Sequence, residues 1–282
     1  MQQPWIPDWF GYSVAVLLGI VVGSFLNVCI WRLPRDESLS HPGSHCPDCN
    51  TPLKAIDLVP IFSFLVQGGK CRYCKRPISW RYIGIESLTG AYFAFVYYCF
   101  NWSVQSLVFA LFGAALIATF FIDLEHYIIP DQLNIFGVAI GIAHDGWNIA
   151  TGVSDWHSNF FGWDIPIPES IMGVIVGGGV FVLIAVVSYY MFKKEGMGGG
   201  DIKLAAAIGA NVGASHAMVS FFVAVLLGTV IGVSLIALKK KGRKDYVPFG
   251  PFMVAGAYSV MFFWNSIEHV WAWYLNRVGL GS

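Results

Sequence analysis

The chain has 282 residues, of which 56% are hydrophobic, 16% aromatic and only 12% charged. A charged fraction about half that of a soluble domain excludes an ordinary soluble globular protein and points to a polytopic membrane protein. Lys and Arg total 17 and so do Asp and Glu, which excludes a general nucleic-acid binder, since that function needs a basic surface.

In chain order, eight apolar segments are predicted at about 11–31, 84–100, 103–122, 128–149, 169–192, 202–213, 214–238 and 249–275, each bounded by polar or turn residues. The sixth is shorter than the ~20 residues that usually span a bilayer, so it is either a short helix inside the bundle or a continuation into the seventh. The first lacks the basic start of a cleaved signal peptide, carries Asp8 upstream and is followed by Arg32 and Arg35. It is therefore expected to be a retained helix. Three blocks result: a first transmembrane helix (1–31), a basic cysteine-bearing cytoplasmic module (32–83) and a seven-helix bundle (84–282). The expected fold is an all-α polytopic membrane protein with a cytoplasmic module between its first two helices. Trp156, Trp163, Pro166 and Pro168 mark the 151–168 loop as interfacial, because Trp favours the headgroup level.

Basic residues set the orientation. Arg32, Arg35, Lys54, Lys70, Arg72, Lys75, Arg76 and Arg81 lie between segments one and two, Lys193, Lys194 and Lys203 flank the glycine motif, and Lys239, Lys240, Lys241, Arg243 and Lys244 follow segment seven. With eight spans and the N-terminus outside, all of these face the cytoplasm and only Arg277 falls outside.

Two chemical patterns follow. Cys46-Pro47-Asp48-Cys49 and Cys71-Arg72-Tyr73-Cys74 are separated by 21 residues. Two thiolates from each knuckle reach one tetrahedral ion, so the spacing predicts a structural zinc site; a reducing cytoplasm disfavours disulfides. Cys29 and Cys99 lie in apolar segments and are expected to pack in the core.

The second pattern is acidic. Asp123 follows the apolar run 107–122, and Asp201 ends Gly196-Met197-Gly198-Gly199-Gly200-Asp201. A carboxylate at a membrane helix end is costly to desolvate and needs a reason to be there. The structural alternatives are a polar interhelical turn for Asp123 and a helix N-cap for Asp201. The topology puts both on the cytoplasmic face, and two carboxylates that meet share one proton. Such a pair activates water for peptide hydrolysis: one member takes the water's proton, the other polarises the scissile carbonyl.

These residues resemble the bacterial type IV prepilin peptidases. Gly23-Ser24-Phe25-Leu26-Asn27-Val28 with Arg32-Leu33-Pro34 is similar to that family's first-helix motif. The two cysteine knuckles resemble its cytoplasmic zinc domain, and Asp123 with Ile129-Pro130-Asp131 its first aspartate motif. The segment 196–204 resembles its second aspartate motif and Pro248-Phe249-Gly250-Pro251-Phe252 its last-helix motif. The resemblance implies an aspartyl endopeptidase of the bacterial inner membrane that cleaves the leader of prepilin and pseudopilin precursors on the cytoplasmic side, for pilus assembly or type II secretion. It also implies N-methylation of the new N-terminal residue with S-adenosylmethionine as donor. Asp123 and Asp201 would be the catalytic pair, and Cys46, Cys49, Cys71 and Cys74 the zinc ligands.

The methyltransferase residues are less defined. Glu86, expected in the first turn of the second segment, is a candidate proton acceptor; Asn27, polar in an apolar helix, is a second candidate for the donor region. Glu125 and Asp131 are expected to attract the basic leader. Presenilin-type proteases also use a GxGD aspartate but lack the long tetracysteine loop. A proton-coupled transporter and a non-catalytic scaffold are the remaining alternatives.

Overall fold

The computed structural model describes residues 7–160, 162–193, 197–238 and 247–277, with the side chains of 192, 274 and 275 excepted. Lys194, Gly196, the basic run 239–244 and the terminal Gly281 and Ser282 lie outside the described residues. Nine α-helices are described: α1 (Asp8–Arg32), α2 (Phe62–Val66), α3 (Arg81–Phe100), α4 (Val104–His126), α5 (Asp131–Ala150), α6 (Glu169–Phe192), α7 (Gly199–Val212), α8 (Ala214–Ala237) and α9 (Gly250–Arg277). The expected all-α fold carries one exception. β1 (Ser158–Phe160) and β2 (Trp163–Ile165) pair antiparallel, with Asn159 opposite Asp164. The turn between them is held by Gly162, which has φ +88° and donates its N–H to Asn159 Oδ1 at 2.9 Å.

Five helical stretches are long and apolar enough to cross a membrane: Asp8–Arg35, Arg81–Phe100, Val104–His126, Glu169–Met191 and Ala214–Ala237. The other three expected segments do form helices. α7 has 14 residues and so is only about 21 Å long. α5 carries Asn134, His144 and Asp145, and α9 carries Asn265, Glu268 and His269 and is broken at Phe263.

The chain forms two compact units, Met1–Ala118 and Thr119–Ser282, which divide within α4. In the first, α1 and α3 run antiparallel in close contact. A Cβ on Gly19 would lie 2.6 Å from Thr89 O, and one on Gly23 2.8 Å from Glu86 Cα, so these positions admit only glycine. Tyr92 on α3 donates its hydroxyl to Phe109 O on α4 at 2.6 Å. Cys29 is buried as expected; Cys99 is instead exposed.

In the second unit, α7 is gripped by α5 on one side and α6 on the other. Gly173 and Gly177 of α6 meet Gly209 and Ala205 backbone of α7, and Gly141 of α5 lies against Ala210. Leu204, Ile208, Met253 and Ala257 fill the interior. At one end of this unit the carboxylates serve as caps: Asp145 accepts the Ser170 N–H at 2.8 Å and Glu169 the Ala214 N–H at 3.0 Å. At the opposite end lie the C-terminus of α4 and the N-termini of α5, α7 and α9.

Candidate active site and metal centre

Asp123 lies inside the last turn of α4, whose ladder continues through the Tyr127 N–H to Asp123 O bond at 2.9 Å. It is therefore a helical residue rather than part of an interhelical turn, as are Glu125 and His126. The side chain is 5% exposed. Its Oδ2 accepts the Gly250 N–H at 3.0 Å, so the carboxylate faces the first turn of α9, where unpaired N–H groups and the helix dipole favour negative charge. Pro251 follows Gly250 and brings no N–H of its own. A Cβ on Gly250 would stand 2.5 Å from the same Oδ2.

Asp201 is 8% exposed and lies in the first turn of α7. The cap of that helix is Gly198, so the N-cap alternative for Asp201 is not what forms. Instead the Asp201 carboxylate reaches back to the Gly198 N–H, the acid-to-cap half of a capping box. The glycines of this segment serve close approach. A Cβ on Gly198 would lie 3.2 Å from Asp201 Oδ2, and one on Gly200 3.0 Å from Ile129 Cβ.

Ile129 is the residue on which the two acidic ends converge. Its side chain fits against Gly200 of α7, and its Cδ1 is 3.3 Å from where a Gly250 Cβ would be. Asp123 and Asp201 are thereby brought to the same end of this unit. Asp131, expected to attract a basic leader, is paired here with Lys203, whose Nζ contacts both its oxygens at 2.7 Å at an exposed position.

In the other unit, the two cysteine knuckles have the same backbone. In the first, Asn50 N–H bonds to Cys46 O with Asn50 at φ 53°; in the second, Lys75 N–H bonds to Cys71 O with Lys75 at φ 62°. The four Sγ atoms lie within 4.8 Å of one another, with Cys46 and Cys74 at 3.9 Å. Zinc–sulfur bonds of about 2.3 Å in a tetrahedron place sulfurs ~3.8 Å apart, so this donor set fits zinc. The Thr51 hydroxyl, 3.3 Å from Cys49 Sγ, and the Thr51 N–H pull the Cys49 thiol down to about 6. Backbone N–H groups led by that of Cys74 lower Cys71, whereas burial raises Cys46. Asp57, which the spacing of motifs does not single out, ties the module together. Its carboxylate, 3% exposed, meets Arg72 Nε at 2.9 Å and takes bonds from the Tyr73 hydroxyl at 2.9 Å and the Lys54 N–H at 3.1 Å.

Glu86 lies in the second turn of α3, beyond the first turn in which it was expected. It is 7% exposed, and its Oε2 accepts the Ile61 N–H at 2.7 Å with the Ser24 hydroxyl as another partner. Ile61 holds φ 61°, a left-handed conformation costly for a β-branched residue. One turn away, Asn27 donates to Tyr82 O at 3.1 Å and Gly23 O at 3.3 Å, while its Oδ1 is buried without a partner. Gly250, Ile129 and Asp57 are the contributors that sequence reasoning missed. Gly250 lay within a motif whose resemblance was noted, but nothing local in it names the partner carboxylate.

Residues 17–100 match the Bacterial Peptidase A24 N-terminal domain and residues 110–233 the Type IV leader peptidase family. The chain is 32% identical to the prepilin leader peptidase/N-methyltransferase of Neisseria gonorrhoeae, over 95% of this chain and 96% of that protein. It is 32% identical to that of Legionella pneumophila over 95% of each, and 29% identical to that of Bacillus subtilis over 90% of this chain and 95% of the relative. No solved structure matches. Two domain matches in order, and relatives aligned almost end to end, establish that the chain belongs to the type IV leader peptidase family.

Proposed function

We propose that the protein is an intramembrane aspartyl endopeptidase and N-methyltransferase acting on prepilin-like precursors. The observation that supports this reading is the convergence of the helix ends that bear the buried Asp123 and Asp201, with Ile129 against both Gly200 and Gly250. One carboxylate, ionised, takes a proton from water; the other, protonated, polarises the scissile carbonyl. The water oxygen bonds to the carbonyl carbon, and the proton then passes to the leaving amine as the C–N bond breaks. The Gly250 N–H fixes one Asp123 oxygen and leaves the other for water.

In the proposed topology all eight helical segments insert, with the N-terminus outside, and the acids lie at the cytoplasmic face of the inner membrane. The basic residues 32–81 support this orientation. The short α7 is then a helix held inside the bundle, where polar groups and glycine-rich backbone are shielded from lipid. The functional division is the first helix (1–31), the zinc-binding module (32–83) and the protease bundle (84–282). Cys46, Cys49, Cys71 and Cys74 hold zinc with no open position, so the ion staples the module.

Methyl transfer from S-adenosylmethionine is assigned to Glu86 and Asn27. The amine nitrogen bonds to the donor methyl carbon as its bond to sulfur breaks, and the amine's proton needs an acceptor. Glu86 is a carboxylate suited to receive it, and the unpartnered Asn27 Oδ1 is suited to orient the N–H. Purified protein incubated with a prepilin peptide and S-adenosylmethionine should give a product shortened at the leader and heavier by one methyl group in mass spectrometry. An intact peptide would overturn the peptidase reading; a trimmed, unmethylated one would overturn only the second activity.

A further inference from the structure

The buried amide of Asn134 has no employment in the fold. It lies at the end of the first turn of α5 and is 3% exposed, yet neither Oδ1 nor Nδ2 has a hydrogen-bond partner among the described residues. Other buried side-chain amides in the protein are at least half satisfied: Asn211 Nδ2 reaches Gly137 O at 2.7 Å and Ala207 O at 2.9 Å, and Asn27 Nδ2 reaches two carbonyls. Removing an amide from water with nothing in exchange is unfavourable, and more so within a membrane.

Its position is also informative. Asn134, Gly137 and Gly141 form the buried stripe of α5, and α7 lies along that stripe, with Asn211 bonded to Gly137 O and Gly141 against Ala210. Asp131 at the start of the same helix holds Lys203, two residues beyond Asp201. Just before α5, Ile129 fits between Gly200 and Gly250. Asn134 is thus five residues past Ile129 and three past the start of α5, about 4.5 Å along its axis, on the side facing the helix that carries Asp201.

We infer that Asn134 is a substrate-binding residue that clamps one main-chain peptide group of the precursor beside the catalytic pair. This rests on the peptidase reading and extends it to the form of the substrate. A helical segment must unwind before a carboxylate pair reaches its carbonyl, and unwinding in the membrane strands backbone N–H and C=O groups. A side-chain amide supplies one acceptor and one donor in the spacing of a peptide group. Because the contact is to main chain, it accepts different residues around the scissile bond.

The test compares wild type with Asn134→Leu and Asn134→Ser, purified in detergent, by cleavage kinetics on a prepilin peptide and by thermal unfolding. Asn134→Leu keeps the branching and the number of heavy atoms, at a larger volume, and removes the unpartnered polar atoms. It should raise KM about tenfold or more, the loss of one to two modest hydrogen bonds, while Tm stays level or rises. Asn134→Ser, which keeps a donor and an acceptor, should recover part of the loss. Unchanged kinetics in Asn134→Leu overturn the inference, as does a Tm lowered in both variants, which would mean that the amide is satisfied within the fold. A serine variant no better than leucine overturns it too. Wild type that leaves the peptide intact overturns the peptidase reading and this one with it.

Discussion

Two regions of the chain, the cysteine module of the first unit and the acidic end of the second, treat their polar groups in opposite ways. In the module, polar groups are paired. Arg32 is held by the carbonyls of Ser38 at 2.8 Å and Pro42 at 2.6 Å, Asp57 has partners in Arg72, Tyr73 and Lys54, and four thiols converge on one point. In the second, the end that carries the acids is under-satisfied. Asp123 has a single backbone donor from Gly250, and Asn134 has none. The opposite end of that same unit caps its helices with Asp145 and Glu169, although Ser154 and Ser158 Oγ there have no partner among the described residues. A saturated set of bonds builds a staple; groups left open await a substrate. Asn27 Oδ1 and Glu86, in the first unit, mark the place where that rule would extend to methyl transfer.

The sharpest way to break the comparison is to neutralise the open end. Asp123→Asn and Asp201→Asn should each lower prepilin cleavage at least about 10³-fold, the scale of general acid–base catalysis, with zinc content unchanged. Retained cleavage in either variant would remove that residue from the pair. At the saturated end, Cys46→Ser should empty the zinc site, measured by metal analysis, since a tetrahedral structural site does not survive loss of a ligand. Methyl transfer should suffer more than cleavage; equal losses would argue for general misfolding.

A subtler probe is Gly250→Ala. The added Cβ would lie 2.5 Å from Asp123 Oδ2 and 3.1 Å from its Cγ, so the carboxylate must shift. Displacement of a reacting group by about 1 Å costs on the order of 10²-fold, and the variant should fold normally by circular dichroism. Normal cleavage would detach Gly250 from the site. The smallest effect concerns pH. Burial by itself raises the Asp57 carboxyl, but the Tyr73 hydroxyl, the Lys54 N–H and Arg72 outweigh it and hold the group below its ordinary range. Its folded value lies below the unfolded one, so its stabilisation is complete above the unfolded carboxylate range near pH 4 and is lost as pH falls through the folded value. Limited proteolysis of the module should accelerate over that acid range in wild type, and Asp57→Asn should already show the faster rate at neutral pH. Equal rates at neutral pH would mean that Asp57 holds nothing.

Much of the site was legible before any coordinates. The cysteine knuckles are short-range objects: each sets its geometry within six residues, so 21 intervening residues do not obscure them. Asp123 and Asp201 were conspicuous because carboxylates flanking apolar runs are rare. Their local settings were less legible. Asp201 is the third residue of α7 rather than its cap because Gly198 takes the cap, and glycine gives little local signal for where a helix starts. The bond between Gly250 and Asp123 joins residues 127 apart in sequence. No periodicity encodes such a pairing, since it depends on how α9 packs.

By itself the sequence determined which segments are apolar, which loops are basic, that four thiols can close on one ion, and which acids sit where acids are costly. Each of these is a property of composition or of spacing within a few residues. Only the tertiary structure decided that Ile129 stands between Gly200 and Gly250, that Lys203 already neutralises Asp131, and that Asn134 is buried with nothing to bond. These depend on the depth to which glycine-lined helices approach one another, and side-chain reach across an interface is fixed by that packing rather than by any neighbour in the chain.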